Sequence, residues 1–65
     1  MVAEKTSKIG DVLDFNRETS QFFLAMGMHC LGCPSARSET IEEACTVHGV
    51  DADALINSIN EFLAG

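Results

Sequence analysis

Thr40-Ile41-Glu42-Glu43-Ala44-Cys45-Thr46-Val47-His48-Gly49-Val50-Asp51 is the stretch that decides the fold class. It reads as one complete helix with both ends marked. Thr40 followed by Glu43 fits a capping box, in which each side chain accepts from the other residue's backbone N–H. Ile41, Ala44, Cys45 and His48 recur at i, i+3, i+4 and i+7, so they share one helix face. Gly49 suits the left-handed residue that closes such a helix. Asp51 then caps a further helix, whose Leu55, Ile56, Ile59, Phe62 and Leu63 form a wide apolar stripe.

Toward the N-terminus the same periodicity recurs in shorter pieces. Ile9, Val12 and Leu13 fall on one face of a short helix that Ser7 is placed to cap, although Gly10 lowers its propensity. A second helix is expected from about residue 16 or 18 to residue 26. Phe22, Phe23 and Met26 form its stripe, and Gly27 stands just past its end. Met26 is expected in the core and Met28 at the surface, as an adaptable apolar contact for a partner. No segment alternates with a period of two between turn signals, so no sheet is expected. The fold class is therefore all-α: a compact array of four to five short helices. It forms one domain over residues 1–65, with residues 1–6 disordered and the cysteine loop between the second and third clear helices.

A chain of 65 residues buries only about 60% of the surface its unfolded form exposes. A second copy, a metal or a disulfide would each help so small a core. Apolar residues make up 46% of the chain, too many for a disordered one. The net charge of −6 argues against nucleic acid and against an anionic membrane surface. The basic residues Lys5, Lys8, Arg17 and Arg37 are scattered along the sequence. Met1-Val2-Ala3-Glu4-Lys5 leads into no apolar run of the kind a secretory leader carries, so a cytoplasmic location is expected. In a reducing compartment three cysteines are not a structural disulfide framework, and their number is odd.

The irregular part of the chain is Met28-His29-Cys30-Leu31-Gly32-Cys33-Pro34-Ser35-Ala36, with a CxxC motif at its centre. Two intervening residues let the sulfurs meet when the second half stands at a helix start. Pro34 pushes Cys33 out of helical geometry and suits the first position of a helical turn, which makes Cys33 a cap. Backbone N–H groups at such a turn stabilise a thiolate, the reactive form of cysteine. His29 beside Cys30 offers a charge or a proton acceptor. Gly32 is read as permitting the tight turn and leaving room for a partner's sulfur. Cys30 is assigned as attacking thiol and Cys33 as resolving thiol.

The same spacing also suits a metal. Cys30, Cys33, Cys45 and His48 offer three thiolates and an imidazole, an acceptable zinc set. Three cysteines could instead hold an iron–sulfur cluster. Against this, Cys45 lies on the core stripe with Ile41 and Ala44, where free cysteine is commonly buried. His48 most simply meets the last carbonyls of its helix. The acidic residues Glu39, Glu42 and Glu43 read as a solvated, capping first turn. No phosphate loop, dinucleotide fingerprint or Ser-His-Asp order occurs, so no cofactor is expected under the redox reading.

The run from Met26 to Pro34, Glu39-Thr40-Ile41-Glu42-Glu43-Ala44-Cys45 and Val47-His48-Gly49-Val50-Asp51 closely resemble the hybrid-cluster-protein-associated redox disulfide domain. This is a family of short bacterial and archaeal domains, stand-alone or fused. The N-terminal domain of iron–sulfur cluster repair di-iron proteins looks similar too. The resemblance covers about residues 9–63. It implies an all-helical fold and a disulfide oxidoreductase role centred on Cys30 and Cys33, with His29 and Gly32 as neighbours. By association it implies a link to anaerobic nitrogen-oxide or iron–sulfur metabolism. The chain is not thioredoxin-like, because it has no strands for that sheet.

The leading expectation is thus a thiol–disulfide module acting on a protein partner. Zinc or iron–sulfur carriage by the same cysteines, with Cys45 or a second copy completing the shell, is an alternative. A non-catalytic interaction domain is another. An apolar face on so small a domain leaves a homodimer open.

Overall fold

The computed structural model describes all residues, Met1–Gly65. Helices α1 (Ile9–Phe15), α2 (Ser20–Ala25), α3 (Pro34–Ser38), α4 (Ile41–His48) and α5 (Ala52–Ala64) follow one another, with a 3-10 turn at Arg17–Thr19 leading into α2. The only β pairing is an isolated antiparallel bridge between Lys8 and Thr40. The fold is all-α, as the periodicity requires.

Each helix end has a local cause. Thr40 Oγ1 accepts from the Glu43 N–H at 3.1 Å, and Glu43 Oε1 accepts from the Thr40 N–H at 2.9 Å, completing the capping box of α4. Gly49 closes that helix with φ +70°. Asp51 Oδ1 accepts from the Asp53 and Ala54 N–H groups at the start of α5. Asn16 does the same for the 3-10 turn, accepting from Glu18 N–H at 2.9 Å. Ser7 does not cap α1. Its hydroxyl accepts from the Glu4 N–H, and Lys8 holds the N-cap position with no side-chain cap bond. The first N–H of α1 is instead satisfied across the fold, from Ile9 to the Glu39 carbonyl, while Ile41 and Glu42 donate back to Ser7 and Lys5. The segment leading into each of α1 and α4 thus accepts from first-turn donors of the other helix, donors a helix alone leaves without partners.

The core consists of Ala3, Ile9, Val12, Leu13, Phe23, Met28, Ile41, Ala44, Cys45 and Ile59. Two expectations change here. Met28 is buried and Met26 only half-buried. The reason is the way α2 stops. Gly27, at φ +108°, donates to Leu24, and Met28 donates back to Phe23. That paired bonding turns the chain so that the residue after the glycine packs onto the last turn of the helix, bringing Met28 onto Phe23. Residues 1–6 are also tied down rather than disordered. Ala3 is buried, its N–H donates to Asn60 Oδ1 at 2.7 Å, and its carbonyl accepts from Asn60 Nδ2 at 3.1 Å. On α5 only Ile59 is fully buried; Leu55, Ile56, Phe62 and Leu63 are half-covered. Phe62 meets Phe22 edge to face, with ring centres 5.6 Å apart. No helix is long and apolar enough to cross a membrane.

Candidate functional site

The cysteine loop hangs between two fixed points. Upstream, Met28 is anchored in the core. Downstream, Pro34 opens α3 and holds Cys33 at its N-cap in extended geometry, φ −75° and ψ 137°, the conformation a residue before proline prefers. Between them the Cys33 N–H donates to the Cys30 carbonyl at 3.2 Å, closing a tight turn. Leu31, at the turn's first central position, is half-buried against the core. The turn is therefore pinned by one apolar side chain while its sulfurs stay near the surface.

Cys30 and Cys33 are joined as a disulfide, with their Cα atoms 5.6 Å apart. Cys30 is exposed and Cys33 half-buried. Cys30 is thus the more open residue of the pair. Cys33, once freed, stands at the N-cap of α3, and no side chain of the protein occupies that cap. First-turn N–H groups there lower the cost of a thiolate.

Helix α3 is set in place by Arg37. Its guanidinium donates to Asp14 Oδ2 at 2.6 Å and to the Gly10 carbonyl at 3.4 Å. Lys8 Nζ adds a bond to the Ser38 carbonyl at 3.2 Å. The dithiol helix is thereby clamped onto α1 by two cations whose roles are not visible from sequence spacing. Arg37 lies three residues beyond Pro34, but nothing in the sequence says that α1 lies across from it.

The other predicted residues fall as follows. His29 is exposed and makes no hydrogen bond or ion pair with any side chain. Gly32 is exposed, its φ is not positive, and a Cβ added there would meet no atom within 4 Å. The turn therefore does not require glycine, and what Gly32 contributes is open space beside the disulfide. Cys45 is a free thiol in the core, and burial, with a smaller contribution from Asp51, pushes its pKa above the ordinary value. His48 bonds to none of its helix's last carbonyls. It lies over the end of α2, where a Cβ on Gly27 would be 3.4 Å from His48 Nδ1. No three His, Cys, Asp or Glu side chains gather into a group able to hold a metal ion, so Cys30, Cys33, Cys45 and His48 do not converge within one chain.

A shallow groove of about 510 Å3 reaches the CxxC turn through Leu31 and Gly32, with neither cysteine in its lining. Leu31 and Gly32 form one wall, and Leu13, Arg17, Ser20 and Arg37 contribute the rest with Asp14.

These features define a class: a small all-helical domain presenting a surface CxxC disulfide on a clamped helix start. The chain belongs to the family described as a domain of unknown function, DUF1858, which it matches over residues 4–56. Among solved structures it is similar to the NMR solution structure of a protein from Clostridium thermocellum, a structural-genomics target. The two are 50% identical and superpose with a TM-score of 0.82, covering 98% of this chain and 91% of the other. No functionally curated protein matches the chain.

Proposed function

We propose that this domain is a thiol–disulfide exchange module that acts on a protein partner through Cys30 and Cys33. The observation that carries the reading is the asymmetry of the pair: Cys30 exposed, Cys33 half-buried at the N-cap of α3. In the reduced domain the Cys30 thiolate attacks one sulfur of a partner disulfide. A mixed disulfide forms and the first partner thiolate leaves, taking a proton from water. The Cys33 thiolate then attacks Cys30 Sγ, the internal disulfide closes, and the second partner thiolate departs. Two electrons pass from the domain to the partner, and an external dithiol restores them. In the reverse direction a partner thiolate attacks the exposed Cys30, and Cys33 leaves as a thiolate held at the helix start. A good leaving thiol speeds this step.

The resemblance of the CxxC run and its flanking segments to the redox disulfide family supports this reading. His29, the residue before Cys30 in the chain and exposed, is the supporting residue in this reading.

The test is the Cys33→Ser variant. It removes the resolving thiol, so a mixed disulfide through Cys30 is expected to accumulate in reductant-free lysate and to dissolve on adding reductant. Wild-type protein purified without chelator is expected to show an intact mass that rises by two protons on reduction. A bound zinc or iron–sulfur mass would overturn the reading in favour of metal carriage. Absence of any trapped species, with a reducible metal-free disulfide in wild type, would leave a plain interaction domain.

A further inference from the structure

The four basic residues are scattered in sequence but differ in how the fold uses them. Lys5 pairs with Asp53 at 3.1 Å. Lys8 donates to a carbonyl, and Arg37 is taken up by Asp14. Arg17 alone has no hydrogen-bond or ion-pair partner for its side chain, and it is exposed on the wall of the groove that reaches the CxxC turn. With Arg37 and Asp14 cancelling, the groove lining carries one uncompensated positive charge in a protein of net charge −6.

Resting on the exchange reading above, we propose that this groove seats the chain flanking the partner's reactive cysteine, and that Arg17 selects partners with a carboxylate there. Leu31 and Gly32, the two residues between the cysteines, line the groove, so chain flanking a cysteine bonded to Cys30 is placed to enter it. Half-buried Leu31 gives that segment apolar contact. Arg17 presents a planar fork that matches a carboxylate with two parallel hydrogen bonds, and binding displaces no internal partner. Whole-molecule charge points the other way. A protein at −6 repels acidic peptides at long range, so a preference for them cannot come from net charge.

The experiment uses two synthetic peptide disulfides, identical except that glutamate or glutamine flanks the cysteine. Oxidation of the fully reduced domain by each is followed by mass. We expect the glutamate peptide to react roughly two- to fivefold faster, the range an exposed ion pair supports. We expect that order to vanish or invert in Arg17→Gln. Equal rates, or faster reaction with glutamine in wild type, would overturn the groove assignment while leaving the exchange reading intact. Failure of both peptides to oxidise the domain would instead count against exchange itself. Retention of the glutamate preference in Arg17→Gln would transfer selection to another residue and overturn the role of Arg17.

Discussion

Gly10 and Arg37 approach so closely that a Cβ added at Gly10 would lie 3.0 Å from both the Cβ and the carbonyl oxygen of Arg37. One of those atoms is backbone, so no side-chain rotation relieves the contact. Two effects compete in Gly10→Ala. Helix propensity favours alanine by about 1 kcal/mol. Overpacking costs about 1–3 kcal/mol. Because α3 is clamped by Arg37 and cannot slide freely, the cost is expected to win. Gly10→Ala should lower the melting temperature of the oxidised domain by several degrees, about 4–8 °C per kcal/mol at this size. Thermal unfolding followed by circular dichroism measures it. A rise in melting temperature would mean that α3 yields at that contact.

The N-terminus offers a second test. Asn60, on α5, bonds both the N–H and the carbonyl of Ala3, and Ala3 is buried. Each bond has a net worth of about 0.5–1.5 kcal/mol. Asn60→Ala should cost roughly 1–3 kcal/mol. It should also release the Ala3 amide to exchange with solvent faster than the global unfolding rate allows. Hydrogen exchange by NMR separates these readouts. A protected Ala3 amide in the variant would show that burial alone holds the segment.

These two contacts also show where the sequence stops being informative. Helices with a complete local signature were legible: Thr40 with Glu43, Gly49 and Asp51 all act where the spacing put them. What stayed hidden depends on partners distant in sequence. Gly10 reads as a weak helix residue until α3 is seen against it. Residues 1–6 read as a free end because nothing local fixes them, while Asn60 lies 57 positions away. Met26 and Met28 exchanged places because the closing turn at Gly27, not helical period, decides which methionine faces inward. At the site, the CxxC pair was legible from four residues. The groove with Arg17 was not, since charges separated in sequence gather only once α1 and α3 pack.

The capping box carries a pH signature. Bonds from the Thr40 backbone and side chain hold the Glu43 carboxyl below the ordinary 4.5. A group whose pKa falls on folding stabilises the fold above its unfolded value, and that stability is lost as pH drops through the folded value. Urea midpoints should therefore decline between about pH 5 and pH 3, the range in which glutamate titrates. In Glu43→Gln, which keeps an acceptor oxygen but does not titrate, the decline should be shallower. Thr40→Ala should lose about 1 kcal/mol at neutral pH, the usual cost of removing a helix cap. An acid limb as steep in Glu43→Gln as in wild type would assign it to other carboxylates.

Cys45 separates the core from the site. Its thiol is 1% exposed, and burial first, then Asp51, raise its pKa above the ordinary 9.0. Iodoacetamide at neutral pH should therefore label Cys30 and Cys33 in reduced, folded protein and reach Cys45 only after denaturant is added, as peptide mass mapping would show. Cys45→Ala should keep the Cys30–Cys33 cycle and cost about 1 kcal/mol for the small void left behind. The sign of its pH effect is opposite to that of Glu43. A thiol whose pKa is higher in the folded state stabilises the fold below its unfolded value, and that contribution fades as pH climbs toward the folded value. With the disulfide intact the other two cysteines do not titrate. The loss of stability that begins near about pH 8.5 should then be smaller in Cys45→Ala than in wild type. If Cys45→Ala instead abolished exchange by the Cys30–Cys33 pair while the fold remained intact, the third cysteine would belong to the site, and a metal or cluster shell would become the reading to pursue.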